Sequence, residues 1–111
     1  MANKSLKTLV LSILEDKQAE DIKIYDVKGK SPITDFFIVA SANNFRKLDA
    51  IINQLRKDFI HHPKYKVHHI EGKAESGWMV FDLYDVVVHL FDPAHREKMK
   101  LDEILENQVK G

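Results

Sequence analysis

The chain has 111 residues, and its 17 basic and 17 acidic side chains leave no net charge. This length fits one domain, which we expect to span residues 1–111. The absence of cysteine excludes a disulfide scaffold, a thiolate nucleophile and a cysteine-based zinc site. The balanced charge argues against a polybasic nucleic-acid binder. The longest apolar run, residues 36–40, is too short to cross a bilayer, so we expect a cytoplasmic protein that does not bind membranes.

The N-terminal third of the chain carries a helix signal followed by two strand signals. Apolar side chains recur at helical spacing over residues 6–14, and Ser5 is placed to cap that helix. A β-rich segment follows at residues 22–27, and a loop with Gly and Pro then leads to residues 36–40. Because residues 36–40 are apolar on both alternating faces, they predict a central strand covered from both sides.

The second helix is the clearest element in the sequence. Asn43 or Asn44 is expected to cap it, and apolar residues recur at helical spacing as far as Phe59. Pro63 forbids its continuation, because proline lacks the backbone donor that a helix interior needs. Residues 65–70 then predict a short strand.

The last third predicts a hairpin and a final helix. Strands over residues 78–82 and 85–91 are separated by only two residues, which favours an antiparallel pair. A polar loop is expected at residues 71–77, and residues 95–107 predict a helix with a narrow apolar face. The order α-β-β-α-β-β-β-α predicts a single α/β domain in which helices flank a mixed five-stranded sheet.

Metal binding and phosphate binding find little support in the sequence. Adjacent residues on a strand point to opposite faces, so His68 and His69 are not expected to share an ion. The segment Gly29-Lys30-Ser31 lacks the upstream glycine of a phosphate-binding loop. No metal site and no cofactor are therefore predicted.

Asp82 and Asp85 flank the turn of the predicted hairpin. Paired carboxylates of this kind could hold the magnesium ion of a nucleotidyl-transfer enzyme, which is one alternative function. Such pairs usually lie two residues apart on one strand face, whereas these are three apart across a turn. We expect them instead to accept hydrogen bonds from backbone donors of the turn.

Trp78 is the only tryptophan and begins a predicted strand. A large amphipathic ring at such an edge can fill a partner's pocket, but tryptophan is also mostly buried in folded proteins. Both interpretations stay open at this stage. An RNA-binding module is a further alternative, and it would use the basic residues Lys4, Lys7, Arg46, Lys47, Arg56 and Lys57.

Four segments of the chain together resemble a known family. They are SPITDFFI at residues 31–38, Glu71-Gly72 followed by Trp78, DLYDVVVHLF at residues 82–91, and Arg96-Glu97 with Leu101. Their order and spacing resemble those of the ribosomal silencing factors, also called Iojap-related proteins. Tyr84 stands where that family usually has a turn glycine.

The resemblance implies a translation repressor rather than an enzyme, with a nucleotidyltransferase-like topology. Such a protein would dock on the large ribosomal subunit through large-subunit ribosomal protein fourteen and would sterically block the joining of the subunits. The resemblance also implies a homodimer when the protein is free, and little direct contact with nucleic acid is expected.

The resemblance also carries roles onto individual residues. It implies partner contacts at Trp78, Met99 and Leu101. The chemistry of the residues themselves adds Met79 to a soft apolar surface there and places Arg96 on its polar rim. Four further residues match the family's signature and either support the structure or contact the partner: Asp35, Asp82, Asp85 and His89.

Overall fold

The computed structural model describes residues 5–110, and its elements follow the predicted order, with the final helix divided in two. They are α1 (Leu6–Asp16), β1 (Glu20–Asp26), β2 (Phe36–Ser41), α2 (Phe45–Phe59), β3 (His69–Lys73), β4 (Trp78–Asp82), β5 (Val86–Phe91), α3 (Pro93–Met99) and α4 (Leu101–Lys110). A single 3₁₀ turn, Ala74–Ser76, joins β3 to β4. No helix in this part of the chain is long and apolar enough to span a membrane.

The five strands form one mixed sheet in the order β1-β2-β5-β4-β3. Only β2 and β5 pair in parallel, and the other neighbours are antiparallel. The predicted hairpin is confirmed as β4 and β5, and the predicted central strand is confirmed as β2. The predicted α/β class with a mixed five-stranded sheet is therefore confirmed.

The capping residues named from the sequence start their helices as expected. The Ser5 hydroxyl accepts a hydrogen bond from the Thr8 backbone N–H at 3.2 Å. The Asn44 side-chain oxygen accepts one from the Lys47 N–H at 2.8 Å. Each contact satisfies a backbone donor that the first turn of a helix leaves without an internal partner.

The third strand lies further along the chain than predicted. Residues 65–70 were expected to form it, but β3 runs from His69 to Lys73 and includes Gly72. Its position follows from its pairing with β4, in which His69 opposes Asp82 and Lys73 opposes Trp78. The sequence pattern of the strand itself does not contain this information.

The single helix predicted over residues 95–107 is wrong, because α3 and α4 are separate helices. Lys100 adopts a left-handed conformation with φ of 53° between them, and Asp92 caps α3 by accepting from the His95 N–H at 2.7 Å. The break allows Arg96 to pair with Asp102, six residues later. In a continuous helix the side chains that meet are three or four residues apart.

Each face of the sheet buries its own apolar cluster. On the first face, α1 and α2 pack together, and the cluster contains the fully buried Leu14 and Phe81. On the second face, α4 contacts β1 and α3 contacts β5 over a smaller cluster that includes Phe37, Phe91 and Leu105. Trp78 and Val80 of β4 are only partly covered.

Candidate partner-binding surface

The partly covered part of the second face lies around β4. Trp78 and Val80 are two residues apart on β4, so both side chains point toward this face. Val80 lies opposite His89 on the neighbouring strand β5. All three side chains are half-buried. A hollow of about 150 Å³ is lined by Glu71, Gly72, Trp78 and Val80. The four lining residues together with His89 are called the Trp78 surface below.

The indole of Trp78 is held in place by two aromatic neighbours. Its ring stacks on Phe91, with centroids 5.5 Å apart and planes 17° apart, and its Nε1–H donates to Nδ1 of His89 at 3.2 Å. The ring therefore keeps a fixed orientation while part of it faces solvent. Val80 and Phe91 were not among the predicted site residues, although the period-two alternation of the two strands could have identified them.

His89 is neutral in the folded protein. Burial lowers its pKa from 6.5 to about 4, although the charge of Asp82 acts in the opposite direction. Because Nδ1 accepts the Trp78 N–H, the ring proton resides on Nε2. The aromatic stack thus contains an uncharged imidazole at physiological pH, which suits an apolar contact surface.

Two glycines on either side of the turn before β4 have left-handed backbone conformations in crowded surroundings. Gly72 has φ of 85°, and a Cβ there would lie 2.2 Å from the Trp78 carbonyl oxygen. Gly77 has φ of 78°, and a Cβ there would lie 2.3 Å from a carboxylate oxygen of Asp92. Both positions demand glycine, because the conformation is left-handed and the space is occupied.

Two of the remaining predicted contact residues lie at the junction of α3 and α4. Met99 is exposed at the end of α3. Leu101 begins α4 and packs, half-buried, against the same apolar cluster as Trp78. These two residues and Trp78 thus lie on the second-face side of the sheet or in the helices that partly cover it.

Met79, which the sequence analysis grouped with Trp78, does not belong to the Trp78 surface. It is 4% exposed and packs in the cluster of the first face, beneath α1 and α2. The cause is the alternation of β4, which sends Met79 and Trp78 to opposite faces. Its position next to Trp78 in sequence therefore does not make it a neighbour on the surface.

Arg96 is also buried, so it does not stand on an exposed polar rim as the sequence analysis expected. Its guanidinium forms two hydrogen bonds with the Asp102 carboxylate, at 2.8 and 3.1 Å. It also donates to the Ser41 hydroxyl and the Asp21 carbonyl oxygen. All these contacts are internal, so Arg96 ties α3 and α4 to β1 and β2.

Asp102 is shared between Arg96 and the Tyr25 hydroxyl, which donates to it at 2.5 Å. Burial would raise the pKa of Asp102, but the hydrogen bonds from Arg96 and Tyr25 lower it below its usual value. Burial and the same carboxylate raise the pKa of Tyr25. The network holds a charged pair within a largely covered part of the second face.

Of the signature aspartates, Asp82 supports the hairpin turn through its side chain as expected, whereas Asp85 and Asp35 contribute through backbone carbonyls. Asp82 is 7% exposed, and its Oδ1 accepts from the Tyr84 N–H at 2.8 Å, as expected for a turn aspartate. Asp85 contributes through its backbone carbonyl, which accepts from the N–H groups of Asp35 and Phe36. Asp35 in turn accepts from the Val27 N–H through its own carbonyl.

The argument that separated His68 from His69 is wrong. His68 precedes β3, so strand alternation does not apply to the pair, and Nδ1 of each ring lies within 3.5 Å of Oδ2 of Asp82. Within residues 5–110, His68, His69 and Asp82 form the only group of three or more His, Cys, Asp or Glu side chains that has the spacing of metal ligands. Asp85 does not belong to this group.

Several of the basic residues that an RNA-binding module would use lie beside aromatic or acidic side chains. Lys4 lies outside the described residues, and the ammonium of Lys7 lies 4.7 Å from the ring centre of Phe36. Arg46 and Arg56 line a hollow that also contains the carboxylates of Asp49 and Glu75. That hollow has mixed charge, which does not favour a polyanion.

These features define a class of protein: an α/β domain with a fixed, half-exposed tryptophan on an incompletely covered sheet. A sequence model of the family described as "Ribosomal silencing factor during starvation" matches residues 2–110. The chain therefore belongs to the ribosomal silencing factor family, whose members are regulatory factors rather than enzymes.

Curated relatives agree with this assignment. The ribosomal silencing factor RsfS of Halalkalibacterium halodurans is 32% identical over 94% of this chain and 88% of its own length. That of Bacillus subtilis is 33% identical over 94% of this chain and 87% of its own length. The mouse "Mitochondrial assembly of ribosomal large subunit protein 1" is 31% identical over 86% of this chain, but only 43% of the mouse protein is matched.

Solved structures share the fold. A crystal structure of a Chromobacterium violaceum protein superimposes with a TM-score of 0.84, covering 96% of this chain and 88% of its own, at 24% identity. A Bacillus halodurans protein gives a TM-score of 0.79 at 30% identity, covering 92% of this chain and 94% of its own.

Proposed function

We propose that the protein is a translation repressor that binds the large ribosomal subunit through large-subunit ribosomal protein fourteen. Bound there, it would occupy space that the small subunit needs and so prevent the two subunits from joining. This action takes place in the cytoplasm and requires no catalysis and no cofactor. Membership of the ribosomal silencing factor family supports the ribosomal role, and the name of the mouse relative points to the large subunit.

The observation that carries the proposal is the Trp78 surface. Interface hot spots are enriched in tryptophan, and they work best when the side chain is already fixed before the partner arrives. The stack on Phe91 and the hydrogen bond to His89 provide that fixation. A partner that covers the half-buried ring would therefore gain apolar burial with little loss of side-chain entropy.

The rim of the Trp78 surface supplies polar groups around an apolar centre. Glu71 is exposed beside the hollow, and Lys73 is exposed opposite Trp78 on the neighbouring strand. An apolar centre with a polar rim is the usual arrangement of protein interfaces. The surface therefore suits a protein partner better than a nucleic acid.

Sedimentation with purified ribosomal subunits tests the proposal. We expect the protein to migrate with the large subunit and to reduce the fraction of joined ribosomes when the small subunit is added. The purified ribosomal protein fourteen should bind it alone. Free protein at the top of the gradient, with joined ribosomes unchanged, would contradict the proposal.

The variant Trp78→Ala tests the surface itself. If Trp78 is the anchor, the variant should weaken attachment by about 2 kcal/mol, or roughly thirtyfold in Kd. Phe45→Ala is the matched control, because Phe45 is a similarly large aromatic side chain, 61% exposed, at the start of α2 on the other side of the sheet. Equal losses in the two variants would show that Trp78 is not the anchor.

The free protein provides a further test of the same surface. We propose that the isolated protein pairs with a second copy of itself, as an exposed aromatic surface favours. Light scattering should give twice the mass of one chain, and Trp78→Ala should reduce the dimer fraction if this surface forms the contact. A monomer at all concentrations would exclude the homodimer but not the ribosomal role.

A further inference from the structure

We infer that His68, His69 and Asp82 form a binding site for one divalent transition-metal ion, with Zn²⁺ as the best-fitting example. The site lies at the start of β3 and the end of β4, at the edge of the sheet. The inference depends only on these side chains and their neighbours, and it stands whether or not the ribosomal proposal is correct.

The spacing of the three candidate ligand atoms matches a single ion. Nδ1 of His68 lies 3.2 Å from Oδ2 of Asp82, Nδ1 of His69 lies 3.5 Å from the same oxygen, and the two nitrogens are 3.4 Å apart. Ligands about 2.0–2.1 Å from a tetrahedral Zn²⁺ are about 3.3–3.4 Å from one another. The three atoms therefore lie close to three corners of a zinc coordination shell.

The backbone fixes these positions before any ion binds. His69 is paired directly with Asp82 in the β3–β4 ladder, and the His68 N–H donates to the Asp82 carbonyl oxygen at 2.8 Å. Both histidines therefore lie in a backbone segment that is hydrogen-bonded to β4, the strand that carries Asp82. A preformed arrangement lowers the ordering cost of binding.

Contacts outside the triangle orient each ligand. The other oxygen of Asp82 is held by the Tyr84 N–H at 2.8 Å, which leaves Oδ2 directed toward the histidines. The ring of His68 stacks on Tyr84, with centroids 4.6 Å apart. Nε2 of His69 lies 3.4 Å from a carboxylate oxygen of Glu71, an arrangement typical of metal-binding histidines.

The donor set selects the kind of ion. Two imidazole nitrogens and one carboxylate oxygen suit Zn²⁺, Co²⁺ or Ni²⁺, whereas Mg²⁺ and Ca²⁺ prefer oxygen ligands alone. The His68 and His69 side chains are 50% and 41% exposed, so solvent can supply a fourth ligand. A bound ion would tie the edge strand β3 to the end of β4.

The test uses the full chain without a polyhistidine tag, stripped of metal with a chelator and titrated with Zn²⁺ in a calorimeter. We expect one Zn²⁺ per chain, and binding at least about tenfold weaker in His68→Ala and in His69→Ala. His61→Ala is the matched control, because His61 is an exposed histidine outside the cluster, and it should bind as the unmodified chain does.

Thermal unfolding guards against an effect on folding, and Co²⁺ spectra report the ligand set. With the chelator present, the Tm values of the His68→Ala and His69→Ala variants should equal that of the unmodified chain. At about a hundredfold excess over Kd, Zn²⁺ should raise the Tm of the unmodified chain by roughly 10 °C, while Mg²⁺ should not change it. Co²⁺ should give the visible bands of a low-symmetry site with nitrogen ligands.

Glu71→Gln distinguishes a positioned site from a chance cluster. Loss of the carboxylate beside His69 should weaken Zn²⁺ binding by about tenfold without abolishing it. Absence of Zn²⁺ binding overturns the inference. So does binding that survives in both histidine variants, or that is lost in His61→Ala.

Discussion

The two faces of the sheet differ in how completely they are covered. On the first face, α1 and α2 bury side chains such as Val10, Ile51 and Phe81 with no exposed surface. On the second face, α3 and α4 cover one side of the sheet and leave the Trp78 surface half-open. The comparison teaches that stability is concentrated on one face and the candidate binding chemistry on the other. Four predictions test that division.

The largest effect is expected from the first face. Phe81→Ala should lower the free energy of unfolding by about 3–5 kcal/mol, because a fully buried ring that packs against Phe59 leaves a cavity. Trp78→Ala should cost only about 1–2 kcal/mol, since its ring is already half-exposed. Urea unfolding of both variants measures the difference. Equal losses would remove the distinction between the faces.

The second prediction concerns the acid stability of the second face. The buried His89 takes up a proton only near pH 4, whereas the unfolded chain does so near 6.5. Between these values the unfolded state binds more protons, so the free energy of unfolding falls as the pH falls, by up to about 3 kcal/mol at pH 4. Well above pH 6.5, His89 is neutral in both states, so it does not make the free energy of unfolding depend on pH.

The matched variant for this prediction is His89→Asn. It keeps an acceptor at the δ position for the Trp78 N–H but does not titrate. Its loss of stability between pH 6.5 and 4 should be smaller than that of the unmodified chain by about the same 3 kcal/mol. Two parallel pH curves would show that folding does not lower the pKa of His89.

The third prediction concerns the helices that cover part of the second face. Arg96→Met keeps the apolar stem but leaves the partly buried Asp102 carboxylate without its cationic partner, with only the Tyr25 hydroxyl as donor, so we expect a loss of about 2–3 kcal/mol. Amide exchange should rise in α3 and α4 more than in α1 and α2. Exchange that rises equally in all four helices would show that Arg96 does not act specifically on the second face.

The replacement of Asp102 by leucine in the Arg96→Met background provides the control. The double variant should recover part of the loss, because no unpaired buried charge remains. No recovery would indicate that the loss comes from the Ser41 and Asp21 contacts of Arg96 instead.

The smallest effect is expected at the hairpin turn. Tyr84 has φ of 70°, a left-handed conformation that disfavours side chains with a Cβ. Tyr84→Gly should therefore raise the free energy of unfolding by about 1 kcal/mol. Tyr84→Ala removes the same ring but keeps the Cβ, and it should show no such gain. Equal stabilities of the two variants would refute the conformational explanation.

Much of the fold could be predicted because its signals are local. The helix caps at Ser5 and Asn44 and the strand over residues 78–82 depend on short-range patterns, and the structure reproduces them. The position of β3 could not be predicted, because the partner strand sets it. The break at Lys100 could not be predicted either, because no glycine or proline marks it in the sequence.

The candidate site could be predicted only in part. The single tryptophan drew attention to Trp78, and the structure places it on a half-open face. Met79 was assigned to the same surface because it is adjacent in sequence, and strand alternation buries it on the opposite face. The joint approach of His68 and His69 to Asp82 depends on where β3 begins, which the sequence did not reveal.

The sequence by itself determined the α/β class, the family resemblance and most helix and strand positions, because periodicity, caps and short motifs act over a few residues. Only the tertiary structure decided which polar residues are internal and which distant side chains meet. Arg96 is buried, and the three candidate metal ligands converge, because strand register and helix docking bring together residues that are far apart or differently oriented along the chain.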